Sequence, residues 1–173
     1  MGWWEMVEGP SLLQGDWLSG CYVPVVPDDF DPERNEEPEI LVEVRNVIVL
    51  TQSCDLENAK APFVAVCPIY TLSEWEAINP EYTKKGNWER VRQGRVEGLH
   101  MLAGLAGPHN NRDSLVVDFR QIYSLPIGYL TTHAAQSGQR PRLRSPYLEH
   151  FAQAFARFFM RVGLPSDIAR FTQ

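Results

Sequence analysis

Two apolar runs separated by a short polar turn constrain the fold of this chain more than any other stretch. Val47–Leu50 is uninterrupted and rich in β-branched residues, which is typical of a strand buried on both faces. Phe63–Ile69 repeats the pattern, and Pro62 and Pro68 mark its predicted ends. The sequence therefore predicts two buried strands, with polar residues 51–55 held at the surface where the first one ends.

Further strands are predicted on both sides of this pair. The first covers Trp17–Val26, with a bulge at Gly20. Two more follow at Leu99–Leu105 and Ser114–Leu125, the second with a break near residues 118–120. Residues 131–145 are rich in Ser, Gly, Gln and Arg and are predicted to be a connector. The Arg140, Arg142 and Arg144 run in that connector either contacts phosphates or is simply exposed.

Two regions are predicted to be helical. Residues 72–98 form an inserted helical segment: Ser73 with Glu76 is a capping-box pattern for a helix over 74–79, and another helix begins at Asn87. Residues 145–163 form a C-terminal amphipathic helix with Ser145 as N-cap, Pro146 in the first helical position and Gly163 as its terminator. Its apolar face recurs at three- and four-residue spacing and comprises Leu148, Phe151, Ala152, Phe155, Phe158, Phe159 and Val162.

Length and element content define the predicted fold class. A chain of 173 residues fits a single domain covering residues 1–173. Five or six strands with these helices predict a mainly β fold with α, arranged as a small antiparallel barrel with a helix packed on it.

Composition excludes several functional classes. No apolar run reaches the roughly 18 residues of a membrane span, so no membrane association is predicted. Three irregularly spaced cysteines do not form a disulfide framework, which indicates a reduced, cytoplasmic protein. The four histidines lack zinc-motif spacing, so neither a metal nor another cofactor is predicted. Residues 27–39 carry seven acids and three prolines and are predicted to be an exposed acidic loop.

One segment combines cations with aromatic rings, as proteins that bind single-stranded nucleic acid do. The candidate nucleic-acid-binding residues are Lys84, Lys85, Trp88, Arg90 and Arg92. The alternative interpretation is a solvated helix face, because charged residues at helical spacing commonly face water.

The turn after the first buried run contains a second candidate site. Ser53, Cys54 and Asp55 place a nucleophile beside a carboxylate, and a histidine elsewhere in the chain would complete a Cys-His-Asp hydrolase site. The alternative is structural, with Asp55 capping the turn through backbone N–H groups.

The order of these blocks resembles the PemK/MazF toxin family. Gly15-Asp16 precedes a strand and is followed by VRNVIVL (44–50), FVAVCPIYT (63–71), DSLVVDFRQIYSLP (113–126) and a closing helix. The resemblance implies an SH3-like, PemK-like barrel, a homodimer, an antitoxin or other protein partner, and metal-independent endoribonuclease activity on RNA. It places the catalytic arginine at Arg45 and the strand-ending threonine at Thr71. Asn46 stands where the family has a proline.

Two alternatives to a ribonuclease stay open at the level of sequence. The first is a non-catalytic interaction or nucleic-acid-binding module on the same fold. The second is the Cys54-dependent hydrolase. A guanidinium can neutralise the charge that develops on phosphorus during RNA cleavage, which is why Arg45 is the leading candidate.

Overall fold

The computed structural model describes residues 2–31, 33, 41–58 and 60–160. The strands in this part of the chain are β1 (Trp4–Val7), β2 (Trp17–Val25), β3 (Leu41–Val49), β4 (Phe63–Thr71), β5 (Leu99–Leu102), β6 (Leu115–Asp118), β7 (Tyr123–Pro126) and β8 (Arg140–Leu143). The α-helices are α1 (Ser53–Glu57), α2 (Leu72–Ile78), α3 (Asn87–Arg92), α4 (Ile127–Gln136) and α5 (Tyr147–Phe159). Short 3-10 helices cover Pro80–Thr83 and Asn111–Asp113. Most of the predicted acidic loop 27–39 lies outside the described residues.

The main sheet is antiparallel, with strand order β2-β3-β4-β6-β5, and β7 also pairs with β4. A second, two-stranded sheet pairs β1 with β8. The prediction of a mainly β fold with helices is confirmed. The strands described form an open path that ends at β2 and β5, so this part of the chain does not show a closed barrel.

Strand β4 lies at the centre of the main sheet and carries its one unexpected proline. Pro68 was expected to end the strand, but it pairs with Val47 in the strand interior, so that prediction is wrong. Ala65 accepts a backbone hydrogen bond from Leu50, the residue that follows β3, and by strand alternation the nitrogen of Pro68 faces the opposite side. On that side the neighbour of β4 changes from β7 to β6 around residue 68, so no ladder partner is lost.

The apolar residues form three clusters, one on one face of the sheet and two on the other. The helix-α5 cluster comprises Ile48, Leu50, Cys67, Ile69, Leu102, Leu115, Val117, Phe119, Leu143 and Phe151. On the opposite face, the helix-α4 cluster comprises Leu12, Leu18, Cys21, Val23, Val47, Val49, Leu56, Val64, Val66, Leu125, Leu130 and Ala134. The helix-α2 cluster on that same face comprises Tyr70, Trp75, Val91, Leu99 and Val116. Residues between these last two clusters therefore lie in a gap between two sets of covering helices.

A buried charge cluster joins the start of β2 to β8. Asp16 is fully buried, and its carboxylate accepts hydrogen bonds from Arg140 (Nε to Oδ2, 3.0 Å) and Arg142 (Nη2 to Oδ2, 2.9 Å). Arg140 also donates to the carbonyl oxygens of Gly9, at 2.7 Å, and Ser11. We call Asp16, Arg140 and Arg142 the charge triad.

The predicted connector over 131–145 is wrong, because this region contains most of α4 and all of β8. The arginines were expected on an exposed linker, yet Arg140 is buried against Asp16. Helix α4 was missed because glycine and threonine lower its intrinsic helix propensity. Packing of Leu130 and Ala134 in the helix-α4 cluster compensates for that deficit.

Helix and strand boundaries differ from the predicted ones mainly at caps. The bulge in β2 is confirmed by a register shift between Leu18 and Cys21. Helix α3 begins at Asn87, as predicted. The N-cap of α2 is Thr71 rather than Ser73, with Glu74 completing the capping box. Helix α5 begins at Tyr147 without a side-chain cap, so neither Ser145 nor Pro146 plays its predicted role. Val162 and Gly163 lie outside the described residues.

Candidate functional site

Five polar and aromatic residues line the gap between the helix-α4 and helix-α2 clusters. We call this set the polar seam; it consists of Arg45, Tyr70, Asp118, Arg120 and Tyr123. Strand register places them on one face. Val47 on β3 pairs with Pro68 on β4. Because the strands are antiparallel, Arg45, two residues before Val47, lies beside Tyr70, two residues after Pro68. Tyr70 pairs with Val116, and Asp118 and Arg120 follow at two-residue steps, while Tyr123 pairs with Val66.

Arg45 is the seam residue with the most open bonding capacity. One guanidinium nitrogen donates to Glu43, and the side chain is 32% exposed. Its Nε is buried, and no described residue accepts a hydrogen bond from it. Burial lowers the pKa of Arg45. The hydrogen bond to Glu43 and the charges nearby together outweigh this effect, so the pKa of Arg45 lies above its ordinary value. The guanidinium therefore stays charged and can bind an anion.

A carboxylate fixes the second seam arginine. Arg120 donates from Nε to Asp118 Oδ1, at 2.7 Å, and from Nη2 to Asp118 Oδ2, at 2.9 Å. The hydrogen bonds to Asp118 raise the pKa of Arg120. Asp118 is almost fully buried, whereas half of the Arg120 side chain is exposed, and the guanidinium carbon lies 5.7 Å from the centre of the Trp75 ring. The guanidinium is thus held on one edge and open on the other.

The two seam tyrosines are hydrogen-bond donors at neutral pH. Burial raises the pKa of Tyr70 and of Tyr123, and the nearby charge of Arg45 only partly opposes this effect. Protonated tyrosines beside two guanidiniums can donate to the oxygens of a phosphate. Within the described residues, no group of three His, Cys, Asp or Glu side chains is placed to hold a metal ion.

The structure does not bring Thr71 together with Arg45. Thr71 follows Tyr70 directly, so its side chain projects from the opposite face of β4. Its hydroxyl accepts a hydrogen bond from the Glu74 backbone N–H, at 3.2 Å, and donates to Glu74 Oε2, at 2.9 Å. Thr71 therefore caps α2, and Tyr70 occupies the place beside Arg45.

The second candidate site lies at the start of a helix rather than in an irregular turn. Ser53, Cys54 and Asp55 all belong to α1. The exposed Cys54 thiol lies 3.7 Å from Gln52 Oε1 and 3.9 Å from Asp55 Oδ1, and the Ser53 hydroxyl accepts a hydrogen bond from the Gln14 backbone.

The histidines of this part of the chain have other surroundings. His133 contacts the carbonyl of Ser19, and His100 stacks on Phe119. His150 lies close enough to His100 to affect its charge. None of the described contacts of Cys54 involves a histidine. A Cys-His-Asp arrangement is therefore absent from the contacts described for α1.

The predicted nucleic-acid-binding segment divides into free and engaged side chains. Lys84, Lys85 and Arg90 are exposed. Arg92 forms two hydrogen bonds to Glu89, of 2.6 and 2.7 Å, and Trp88 donates to Glu76 at 2.8 Å. Trp88 also packs on Tyr82. Tyr82 and Trp88 thus pack against the helix-α2 cluster, and the hydrogen bond from Trp88 to Glu76 joins α3 to α2.

The half-buried His100 should make stability depend on pH. Burial, aided by the charge of His150, lowers the pKa of His100 from 6.5 to about 4. The unfolded chain then binds the proton more readily, so this stabilisation is present above pH 6.5 and is lost as pH falls towards 4. We expect the free energy of unfolding to fall across that window by up to about 1.4 kcal/mol per pH unit more in the native chain than in His100→Phe. Urea titrations at several pH values measure this difference.

The exposed His109 provides the matched control for that experiment. His109→Asn replaces an exposed side chain and should change the free energy of unfolding by less than about 0.5 kcal/mol at each pH. Identical slopes in His100→Phe and the native chain would show that His100 titrates normally.

Sequence reasoning identified Arg45 but missed Tyr70, Asp118, Arg120 and Tyr123. The available signal was the two-residue spacing of Asp118 and Arg120 just after a buried run, which puts both on one face. Their proximity to Arg45 depends on the pairing of β4 with three strands and has no local signature.

Comparison of the chain with protein-family models gives no match, and a search of curated proteins likewise finds none. None of the helices in the described ranges combines the length and apolar character needed to cross a bilayer.

Proposed function

We propose that this chain binds single-stranded RNA along the polar seam and cleaves it without a metal ion. The observation that carries the proposal is the pair of arginines, Arg45 and Arg120, on one sheet face with two protonated tyrosines. Each guanidinium is fixed by a carboxylate, which orients it before a ligand arrives. Arginine at a fixed position suits phosphate, because its planar fork matches two phosphate oxygens.

The fold and partners implied by the family resemblance belong to this proposal. We infer a divergent PemK/MazF-like chain, in which the β2-β3-β4 succession and α5 correspond to the family's SH3-like barrel and closing helix. Antiparallel pairing of β2, β3 and β4 in chain order supports this correspondence. A homodimer and an antitoxin partner follow from the same resemblance, and the cytoplasmic location belongs to the proposal on the ground of the unpaired cysteines.

In the proposed mechanism, two seam residues and the neighbouring Glu43 supply the steps of a metal-free cleavage. Glu43, beside Arg45, accepts the proton of the ribose 2′-hydroxyl, and the 2′-oxygen then bonds to phosphorus. Arg45 neutralises the negative charge that develops on the phosphorane oxygens. The bond from phosphorus to the 5′-oxygen breaks, and Tyr123 donates a proton to that oxygen. The products are a 2′,3′-cyclic phosphate and a 5′-hydroxyl end.

Arg120 and the exposed cations of the inserted segment extend the binding surface. Arg120 is placed to hold a neighbouring phosphate of the same strand. Lys84, Lys85 and Arg90 add charge beyond it, and their contribution should weaken with salt as counterion release requires.

The experiment is incubation of the purified protein with mixed-sequence single-stranded RNA in excess EDTA. We expect new fragments that end in a 2′,3′-cyclic phosphate, identified by mass spectrometry. Retention of RNA without cleavage would instead support the non-catalytic module. If the protein neither retained nor cleaved the RNA, the RNA proposal would be refuted.

A further inference from the structure

Strand β5 ends the main sheet and leaves one backbone edge open. The Phe119 N–H bonds to the Gly98 carbonyl, so by alternation Gly98, His100 and Leu102 face β6, and Leu99 and Met101 face outward. The N–H of Leu99 bonds to Val96. No described residue outside β5 and β6 pairs with the backbone of Met101.

Two cavities follow this open edge, and we call them together the β5 trench. Their volumes are about 530 and 640 Å³, and both are lined by Met101 and Arg92. Helix α3 forms one wall, and α5 and Trp3 form the other. A four-residue strand spans roughly 13 Å, so the trench offers the length of about four extended residues.

The two halves of the trench differ in chemistry. The first half is lined by His150 and Arg157 of α5, by Arg92, whose guanidinium is paired with Glu89, and by the carboxylate of Glu97. Arg157 is exposed, and no carboxylate in the described part of the chain pairs with it. This half is therefore complementary to an acidic side chain.

The second half of the trench is more apolar. Trp3 and Trp88 line it together with Leu72, Leu102, Ala103 and Pro108. The Nε1 of Trp4 holds the Ala103 carbonyl at 2.8 Å, which closes the edge at this end. Large apolar side chains are the groups that such a surface binds well.

We propose that the β5 trench binds an extended peptide segment of a partner protein by strand addition. The peptide backbone pairs with the N–H and C=O of Met101. An acidic side chain lies against Arg157 and His150, and a large apolar side chain lies against Trp3 and Trp88. A peptide matches this edge better than RNA, because only a peptide presents alternating N–H and C=O groups at strand spacing. The inference is independent of the ribonuclease proposal, since it uses none of the seam residues.

The test begins with phage-displayed random heptapeptides selected on the immobilised full chain. We expect enrichment of sequences that combine Asp or Glu with an aromatic or large aliphatic residue. An enriched peptide is then synthesised with a fluorescein label, and its Kd is measured by fluorescence polarisation. Met101→Pro removes the outward N–H, a change that an edge strand tolerates, and should weaken binding at least about tenfold. Met101→Leu, which keeps the N–H, is the matched control.

Two further comparisons separate strand addition from simple adhesion. N-methylation of the peptide backbone at the pairing position should abolish binding even if Met101→Pro fails to fold. Arg157→Ala should weaken binding of the acidic peptide about tenfold. It should leave unchanged the binding of the same peptide with its acidic residue replaced by alanine. The exposed Arg90→Ala should change the affinity for neither peptide.

Several outcomes would overturn the proposal. Equal binding of the N-methylated peptide excludes backbone pairing. Selected sequences without an acidic preference exclude the assigned chemistry. Displacement of the peptide by a single-stranded oligonucleotide would assign the trench to nucleic acid. A concentration-dependent dimer that Met101→Pro abolishes would assign it to a second copy of this chain, as sedimentation would show.

Discussion

Replacing Asp16 by alanine is expected to lower the free energy of unfolding by about 3–5 kcal/mol, because it leaves the buried Arg140 without its counterion. Asp16 is fully buried and is bonded to two arginines, and its backbone also pairs with Val49 in β3. Urea unfolding followed by tryptophan fluorescence measures the change.

Asp29 is exposed and provides the control for this experiment. Asp29→Ala should change the free energy of unfolding by less than about 0.5 kcal/mol. Adding Arg140→Leu to Asp16→Ala should recover only part of the loss, because the double variant no longer buries Arg140 without a counterion but still leaves Arg142 unpaired. A loss under about 1 kcal/mol for Asp16→Ala would show that water reaches Arg140 in the folded chain.

Arg45→Ala is expected to slow RNA cleavage in EDTA by about 10²–10³-fold while the chain stays folded. In the proposed mechanism Arg45 neutralises the charge on the phosphorane, and alanine provides no charge in its place. Its side chain is partly exposed, so its removal leaves no large cavity. Initial rates on a labelled oligonucleotide measure the effect, and circular dichroism checks the fold.

The control for Arg45 is Arg90→Ala, which removes an exposed arginine from α3, outside the seam. Its cleavage rate should fall only to the extent that RNA binding weakens, and saturating RNA should restore it. An undiminished rate in Arg45→Ala would remove Arg45 from the mechanism, even if the native chain cleaves RNA.

Strands with strong local patterns were predictable from the sequence, and elements that depend on distant partners were not. All of the run at Phe63–Ile69 lies within β4, and all of the run at Val47–Leu50 except its last residue lies within β3, because continuous apolar residues suit a strand covered on both faces. Strand β8 carries two arginines in four residues, and it forms because Asp16, more than 120 residues away, neutralises them. No local sequence pattern predicts the pairing of Asp16 with these arginines.

Caps were harder to predict than the helices they end. Thr71 and Ser73 are both acceptable N-caps, and each has a Glu three residues later. The structure uses Thr71 because β4 continues to that residue and pairs it with Leu115. That choice turns the threonine which the family resemblance placed in catalysis into a helix cap.

The candidate site was predictable in part. Arg45 follows from the family resemblance, and the structure adds neighbours that lie far from it in sequence. Tyr70 lies in β4, whereas Arg120 and Tyr123 lie around the turn between β6 and β7, so only the sheet order shows that they share a face with Arg45. The seam lies between two apolar clusters, and this arrangement is a property of tertiary packing rather than of any one motif.

The pairing of β1 with β8 has a consequence for synthesis on the ribosome. Trp4 pairs with Leu143, and Arg140 and Arg142 neutralise Asp16. The first strand therefore cannot pair until residues some 135 positions later have been synthesised. Until those residues leave the exit tunnel, the nascent chain holds an uncompensated carboxylate and an unpaired strand, two features that oppose early collapse. Ribosome-bound chains in which β8 is still inside the exit tunnel should accordingly be digested by protease far faster than full-length chains that a C-terminal linker has carried clear of the tunnel.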